Sequence, residues 1–334
     1  MINRLLWLTL AVWPARAGQP EALDVLRQSL DAPDAPYSAE LEVERREGPH
    51  GDARRLRMKT RFSPPGSYRR EFLDASGKAV RLLVQDGKTE WIYDPAKRKA
   101  WQGEPCDPLY KRFGPDEEVD RLDENYDVAI STGGRVAGRP VWLLELRSRR
   151  GSALARRLWV DRENFLVLRS EAYRSDGSLA EALRVTKLGL GKAQDSGLFR
   201  FSPPAGTVVV RREEPDYLAL DEAKSSGVEP RLPSWLPSGF VFESLDVMRR
   251  GRGHVIHYRF SDGVQVVSLF QCPPRVRLGL GKRRHERVKL ATGKGTLARA
   301  AEGNVLSWSA AGWRFILVGS LAEKTLERMA ESVK

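Results

Sequence analysis

Residues 236–270, LPSGFVFESLDVMRRGRGHVIHYRFSDGVQVVSLF, decide how the last third of this chain is read. Val255 to Phe260 and Val264 to Phe270 are β-branched and aromatic runs on either side of Ser261-Asp262-Gly263, a composition that predicts two antiparallel strands and a tight turn. Val305 to Trp308 and Trp313 to Val318 repeat the pattern around Ser309 to Gly312, predicting a second hairpin. The stretch that follows, Ser320-Leu321-Ala322-Glu323, has the spacing of a capping box, and Leu326, Met329, Ala330 and Val333 then form an apolar stripe at helical period. A small antiparallel sheet packed by one helix is expected, an α+β module.

Working outward, residues 275–289, RVRLGLGKRRHERVK, hold seven Lys or Arg against the single Glu286. Arg275, Arg277, Lys282, Arg283, Arg284 and Arg287 are candidates for contact with an acidic partner or an anionic surface. The alternative is a solvated loop that keeps an edge strand from pairing with other chains.

Residues 236–270 and the closing stretch 312–333, GWRFILVGSLAEKTLERMAESV, resemble the C-terminal domain of the MucB/RseB family. The resemblance implies a periplasmic sensor and regulator of an envelope-stress sigma factor, a protein that binds and performs no chemistry. In that family the partner is the periplasmic part of a membrane-spanning anti-sigma factor, and a lipidic signal releases it.

Upstream, the chain opens with an amphipathic helix at Glu21 to Leu30, with Leu23, Leu26 and Leu30 on one side. It then reads as strands for most of 180 residues. Asp86-Gly87 and Asp176-Gly177 are hairpin signals, and Asp74-Ala75-Ser76-Gly77 is a looser turn. Leu82 and Val84 alternate into the Asp86-Gly87 turn, and Trp91 and Tyr93 alternate out of it, as in a sheet with one buried face. Residues 107–125, DPLYKRFGPDEEVDRLDEN, interrupt the strands and predict two short helices that cover an apolar face.

The ordered words DGKTEWIYDPAKRKAW (86–101), GRPVWLLEL (138–146), RRLWVDRENFLVLRSEAYRSDGS (156–178) and LFRFSPPAGTVVV (198–210) resemble the LolA/LolB fold. The fold class expected is therefore mainly β with α+β. An N-terminal LolA-like open barrel of antiparallel strands wraps on helices, and a small C-terminal α+β domain follows. The resemblance implies a cavity for an acyl chain, for which Trp91, Tyr93, Trp101, Phe113, Trp142 and Trp159 are the candidate lining. Each of these rings also fills core in any fold.

The expected boundaries are 1–17 signal peptide, 18–206 N-terminal domain, 207–232 linker and 233–334 C-terminal domain. Arg4, the apolar run Leu5 to Trp13 and Ala15-Arg16-Ala17 form the signal pattern, with cleavage after Ala17. The linker follows from six prolines within 202–239, with Arg211-Arg212-Glu213-Glu214 and Ser225-Ser226-Gly227. Without Arg4 and Arg16 the chain keeps 54 basic against 44 acidic side chains. For an exported protein that surplus points to lipid headgroups or an acidic segment rather than nucleic acid.

Two cysteines, Cys106 and Cys272, are either bridged in the oxidising compartment or separately buried. No nucleophile elbow, H-E-x-x-H or metal-spaced cysteine pair is present. His254 and His257 lie three apart on a predicted strand and so face opposite ways. The expectation is a protein without catalysis, cofactor or metal. Its partners would be the anti-sigma segment and a lipid or lipoprotein acyl chain. The rival is a LolA-like lipoprotein or lipid carrier.

Overall fold

An aspartate stands in four of the five predicted turns and accepts backbone N–H groups of the residues that follow, which satisfies the orphan donors of a tight reversal. Asp86 Oδ1 accepts from Lys88 N at 2.9 Å and Thr89 N at 2.7 Å. Asp262 Oδ1 accepts from Val264 N at 3.0 Å and Gln265 N at 2.7 Å. Gly263 then takes φ +97°, open to glycine at no steric cost. The turns stand where the sequence puts them, and strands run between them.

The structure, a computed structural model, describes residues 20–31, 35–46, 53–105, 115–211, 216–217, 220–225, 229–250, 253–276, 285–300 and 303–334. The expected signal segment, Cys106, Phe113, Arg277, Lys282, Arg283 and Arg284 lie outside the described residues.

Helix α1 (Ala22–Leu30) precedes β1 (Tyr37–Arg46), β2 (Ala53–Ser63), β3 (Ser67–Leu73), β4 (Ala79–Asp86), β5 (Glu90–Asp94) and β6 (Lys99–Gly103). After α2 (Pro115–Asn125) come β7 (Tyr126–Val136), β8 (Arg139–Ser148), β9 (Leu154–Asp161), β10 (Val167–Tyr173), β11 (Leu179–Leu190) and β12 (Val208–Arg211). These strands make one open sheet of twelve, in the order β12-β6-β5-β4-β3-β2-β1-β11-β10-β9-β8-β7. It consists of two meanders joined where β1 pairs with β11.

The second sheet holds β13 (Asp216–Tyr217), β14 (Val241–Arg250), β15 (Gly253–Ser261), β16 (Val266–Cys272), β17 (His285–Leu290), β18 (Gly293–Ala300), β19 (Gly303–Ala310) and β20 (Trp313–Gly319). Helix α3 (Leu220–Ser225) lies between β13 and β14, and α4 (Glu323–Glu331) closes the chain. The order is β13-β14-β15-β16-β20-β19-β18-β17, so β20 is the seam between two meanders. Open, mostly β architecture in two sheets is the fold that the sequence predicts.

Several local expectations are corrected. In the described part of the expected 207–232 linker, β12 adds to the first sheet in parallel beside β6 and β13 adds to the second beside β14. The capping box does not form: the N-cap of α4 is Ala322, without a side-chain cap, and Glu323 binds Arg299 instead. Leu30 is 41% exposed, while Val25 and Leu26 are the buried residues of α1. The C-terminal sheet also has eight strands rather than the two hairpins read from sequence.

The cores differ. In the second sheet Leu326, Met329 and Ala330 of α4 and Ala223 of α3 join Tyr258, Phe260, Leu306, Trp308, Phe315 and Leu317 in one cluster. A small cluster of Ala298, Val305 and Ile316 lies apart from it, and the first sheet has two clusters of similar size. Val25, Leu26 and Leu122 of α1 and α2 pack on Tyr126, Leu144, Leu146, Leu158 and Val160. Leu41, Met58, Val136, Val141, Trp159, Leu168 and Val185 make the other.

Candidate binding surfaces

Among the described residues, the aromatic side chains of the expected lining stand at separate places of the first sheet. Trp91 and Tyr93 lie against Phe201, with ring centroids at 5.7 and 5.4 Å. Trp101 stands opposite Ile92 in the register and so projects from the other face, under the Lys99 ammonium at 5.0 Å. Trp142 packs beside the α1–α2 cluster with Arg162 over its ring at 3.7 Å. Trp159 is buried in the neighbouring cluster, with Arg169 over it at 4.2 Å.

A groove of about 470 Å³ opens instead across the middle of the first sheet. Glu42, Glu44, Arg55, Arg57, Arg169 and Arg184 line it. In register, Arg57 opposes Glu42, Glu42 opposes Arg184 and Arg184 opposes Arg169, so these side chains share one face. Arg55 and Arg46 bind Glu44 at 3.0 and 2.8 Å and hold its carboxyl below the usual range. Sequence reading missed this groove because its residues alternate as ordinary wet positions of strands.

The opposite face carries a second row. Leu146, Arg156, Ala172, Glu181, Arg45 and Arg54 oppose one another in turn across β8, β9, β10, β11, β1 and β2. Glu181 is taken by Arg45. Arg156 is largely buried, its Nε makes no hydrogen bond, and burial pushes its guanidinium pKa down.

The two sheets meet through buried polar contacts. Tyr126 Oη donates to Asp262 Oδ2 at 2.6 Å, and Asn125 Nδ2 donates to the carbonyls of Asp262 at 3.1 Å and Gly239 at 3.3 Å. Burial, and then the Asp262 carboxylate, raise the Tyr126 phenol well above the usual tyrosine range. Val264 packs against the α1–α2 cluster beside this contact.

In the second sheet His257 bridges Asp246 (Nδ1 to Oδ2, 2.9 Å) and Ser268 (Nε2 to Oγ, 3.0 Å) across three neighbouring strands. That order of groups matches a nucleophile, a base and its orienting acid. Ser268 lies mid-strand between two ladder partners, however, so the local amides are committed to the sheet and not to an oxyanion. The His257 ring is also stacked on Phe270 at 4.4 Å. The arrangement ties strands together. Among the described residues no group of three or more His, Cys, Asp or Glu could hold a metal ion.

Arg275 and Arg287 are exposed, in the turn after β16 and on the edge strand β17. Cys272 is a free, fully buried thiol, and burial raises its pKa. No helix of the described residues is long and apolar enough to cross a membrane.

Residues 76–203 match the model of the MucB/RseB N-terminal domain. The chain is 25% identical over 218 residues to the sigma factor AlgU regulatory protein MucB of Pseudomonas aeruginosa, a match over 63% of this chain and 62% of MucB. It is 26% identical over 190 residues to an uncharacterized protein of Methanocaldococcus jannaschii, over 56% of this chain and 53% of that one. The matches thus span between half and two thirds of these curated relatives. Among solved structures, MucB in complex with MucA(peri) superposes with a TM-score of 0.60 at 21% identity, over 94% of this chain and 98% of that one. The Pseudomonas aeruginosa MucA/MucB complex gives 0.58 at 21% identity, over 94% and 98%. The resemblance to the MucB/RseB family is borne out, and the fold is that of MucB.

Proposed function

We propose that this chain is an exported regulator that binds the periplasmic part of a membrane-spanning anti-sigma factor and responds to a lipidic ligand. One observation carries the reading: the likeness to MucB, solved with MucA(peri), runs through both sheets and 94% of the chain. A carrier that needed only a lipid cavity would have no use for the second sheet. In this reading the two sheets are two domains, joined across 207–232 and held at the Tyr126–Asp262 contact.

The linkage is simple. A lipid releases the partner only if it prefers the partner-free state, and a thousandfold preference displaces that balance by about 4 kcal/mol. The surplus of Arg and Lys supplies attraction for an acidic segment, to which the exposed Arg275 and Arg287 contribute.

Native mass spectrometry of the protein purified from periplasm tests the proposal. A co-purifying anti-sigma segment, released on adding lipid, is the expected result. Lipidated peptide with no such partner would replace the regulator with a lipoprotein carrier.

A further inference from the structure

The groove across the middle of the first sheet has arginines at both ends and unused hydrogen-bonding capacity between them. Arg55, Arg57, Arg169 and Arg184 line it against Glu42, Glu44 and Asp74. Two of those acids are already engaged. Glu44 is held by Arg55 and Arg46, and Asp74 accepts from Ser76 Oγ at 2.6 Å and from Lys78 N at 3.0 Å inside its own turn. At one end of the groove Arg184 stands directly opposite Arg169, and like charges so placed weaken a strand pair. Arg169 is satisfied by Glu171 and by the Trp159 ring beneath it. Arg184 is exposed, and among the described residues it has no hydrogen bond and no ion pair. At the other end the hydrogen bonds of Arg57 go to the carbonyls of Ala75 at 3.1 Å and Asp74 at 3.5 Å, and among the described residues it forms no ion pair. Glu42 lies between Arg57 and Arg184 in the register, exposed and likewise unpaired among the described residues.

We propose that this groove binds an extended acidic peptide segment laid across β11, β1 and β2, with one carboxylate on Arg184, another on Arg57, and a backbone N–H between them facing Glu42. The two arginines stand two strands apart, roughly 10 Å across the sheet. In a polyproline-type chain, with three residues per turn and about 3.1 Å per residue, side chains three positions apart share a side and lie about 9 Å apart. Such a segment spans both ends. A small anion meets one end and leaves the other, with Glu42, unmet. A continuous anionic surface is disfavoured, because the Glu42 carboxylate lies exposed in its path. The inference goes beyond the reading above, since it needs no lipid and no contact with the second sheet. Exposed charge pairs are weak one at a time, so the affinity depends on both ends and falls with salt.

The test uses the full mature chain and short fluorescein-labelled Gly-Ser-Pro peptides, read by fluorescence anisotropy. One peptide carries two Glu three positions apart, a second carries them side by side, and a third carries Gln in their place. The spaced peptide binds tightest, and the Gln peptide binds about tenfold more weakly. Arg184→Gln weakens the spaced peptide about 2- to 5-fold, the loss of one exposed pair, and Arg184→Glu about tenfold. Arg57→Gln combined with Arg184→Gln brings it down to the Gln peptide. Arg184→Gln without peptide melts no lower than the parent, because it gives up no partner and relieves Arg169.

Equal binding of the three peptides, or an Arg184→Glu chain that binds the spaced peptide as the parent does, overturns the assignment. So does a loss on Arg275→Gln or Arg287→Gln with Arg184→Gln unchanged, which would move the acidic segment to the second sheet. Glutarate displacing the spaced peptide at equal concentration would make the groove a small-anion site. Arg184-dependent binding to phosphatidylglycerol vesicles by a chain that ignores the peptides would make it a membrane contact. Either result overturns the peptide as occupant, and each leaves the co-purification of an anti-sigma segment to be decided by mass spectrometry.

Discussion

The two sheets bury their apolar residues in different ways. The eight-stranded sheet gathers most of its buried apolar residues in one large cluster around α4, in which Leu326, Met329 and Ala330 are fully buried, beside a small cluster of Ala298, Val305 and Ile316. The twelve-stranded sheet spreads its apolar residues over two such clusters and supports its middle with rows of Arg and Glu. A single cluster is cooperative, because any cavity is felt by all of its members. The groove opens across the middle strands of the sheet whose core is divided. The lesson is that the larger contiguous core and the groove belong to different sheets.

The contrast is most easily broken by cavities. Leu326→Ala should cost near the top of the usual range of about 2–5 kcal/mol, and Leu41→Ala, in the divided sheet, near the bottom. Equal losses in urea unfolding would remove the distinction. Tyr126→Phe should cost about 1–3 kcal/mol by leaving the Asp262 carboxylate short of a donor. More tellingly, it should split one thermal transition into two, whereas a single sharp transition would mean that the sheets are coupled elsewhere. Smaller still is the effect of removing the Tyr258 hydroxyl, which donates to Gln271 at 2.7 Å and accepts from Arg231 N at 3.0 Å. Tyr258→Phe should cost about 1–2 kcal/mol and leave the transition of the first sheet unmoved.

The smallest effect concerns pH. Hydrogen bonds from Arg55 and then Arg46 lower the Glu44 carboxyl from its ordinary 4.5. Its contribution is therefore present above about pH 4.5 and lost as pH falls through the lower folded value. An NMR titration should place the Glu44 midpoint below 4.5, and Glu44→Gln should flatten the acid limb of stability. A midpoint at or above 4.5 would mean that the charged rows do not organise the groove.

Turns and strand order around Asp86-Gly87, Asp176-Gly177 and Asp262-Gly263 were legible, because an Asp side chain fixes the reversal locally. The apolar stripe of α4 was legible for the same kind of reason. The hairpin of β17 and β18 was not: its strands carry His285, Glu286, Arg287, Lys289 and Lys294, so charge hides the alternation. Nor did the tryptophans reveal their clusters, since period 2 gives a face but not which neighbour will curl over it. The Arg156 row depends on five strand registers at once, and no local pattern encodes that.

The place of β20 has a consequence for how the chain is made. It follows every other strand of its sheet in the chain, yet it lies at the centre of that sheet, between β16 and β19. Until Trp313–Gly319 emerge, the two meanders on either side have no common edge, and α4, which follows, has no complete surface to cover. Chains emerge from N-terminus to C-terminus and tend to fold unit by unit. The twelve-stranded sheet can therefore settle first, and the second sheet then closes in one late step. A chain cut short before Trp313 would keep its hairpins yet leave the eight-stranded sheet without the strand that joins its two halves.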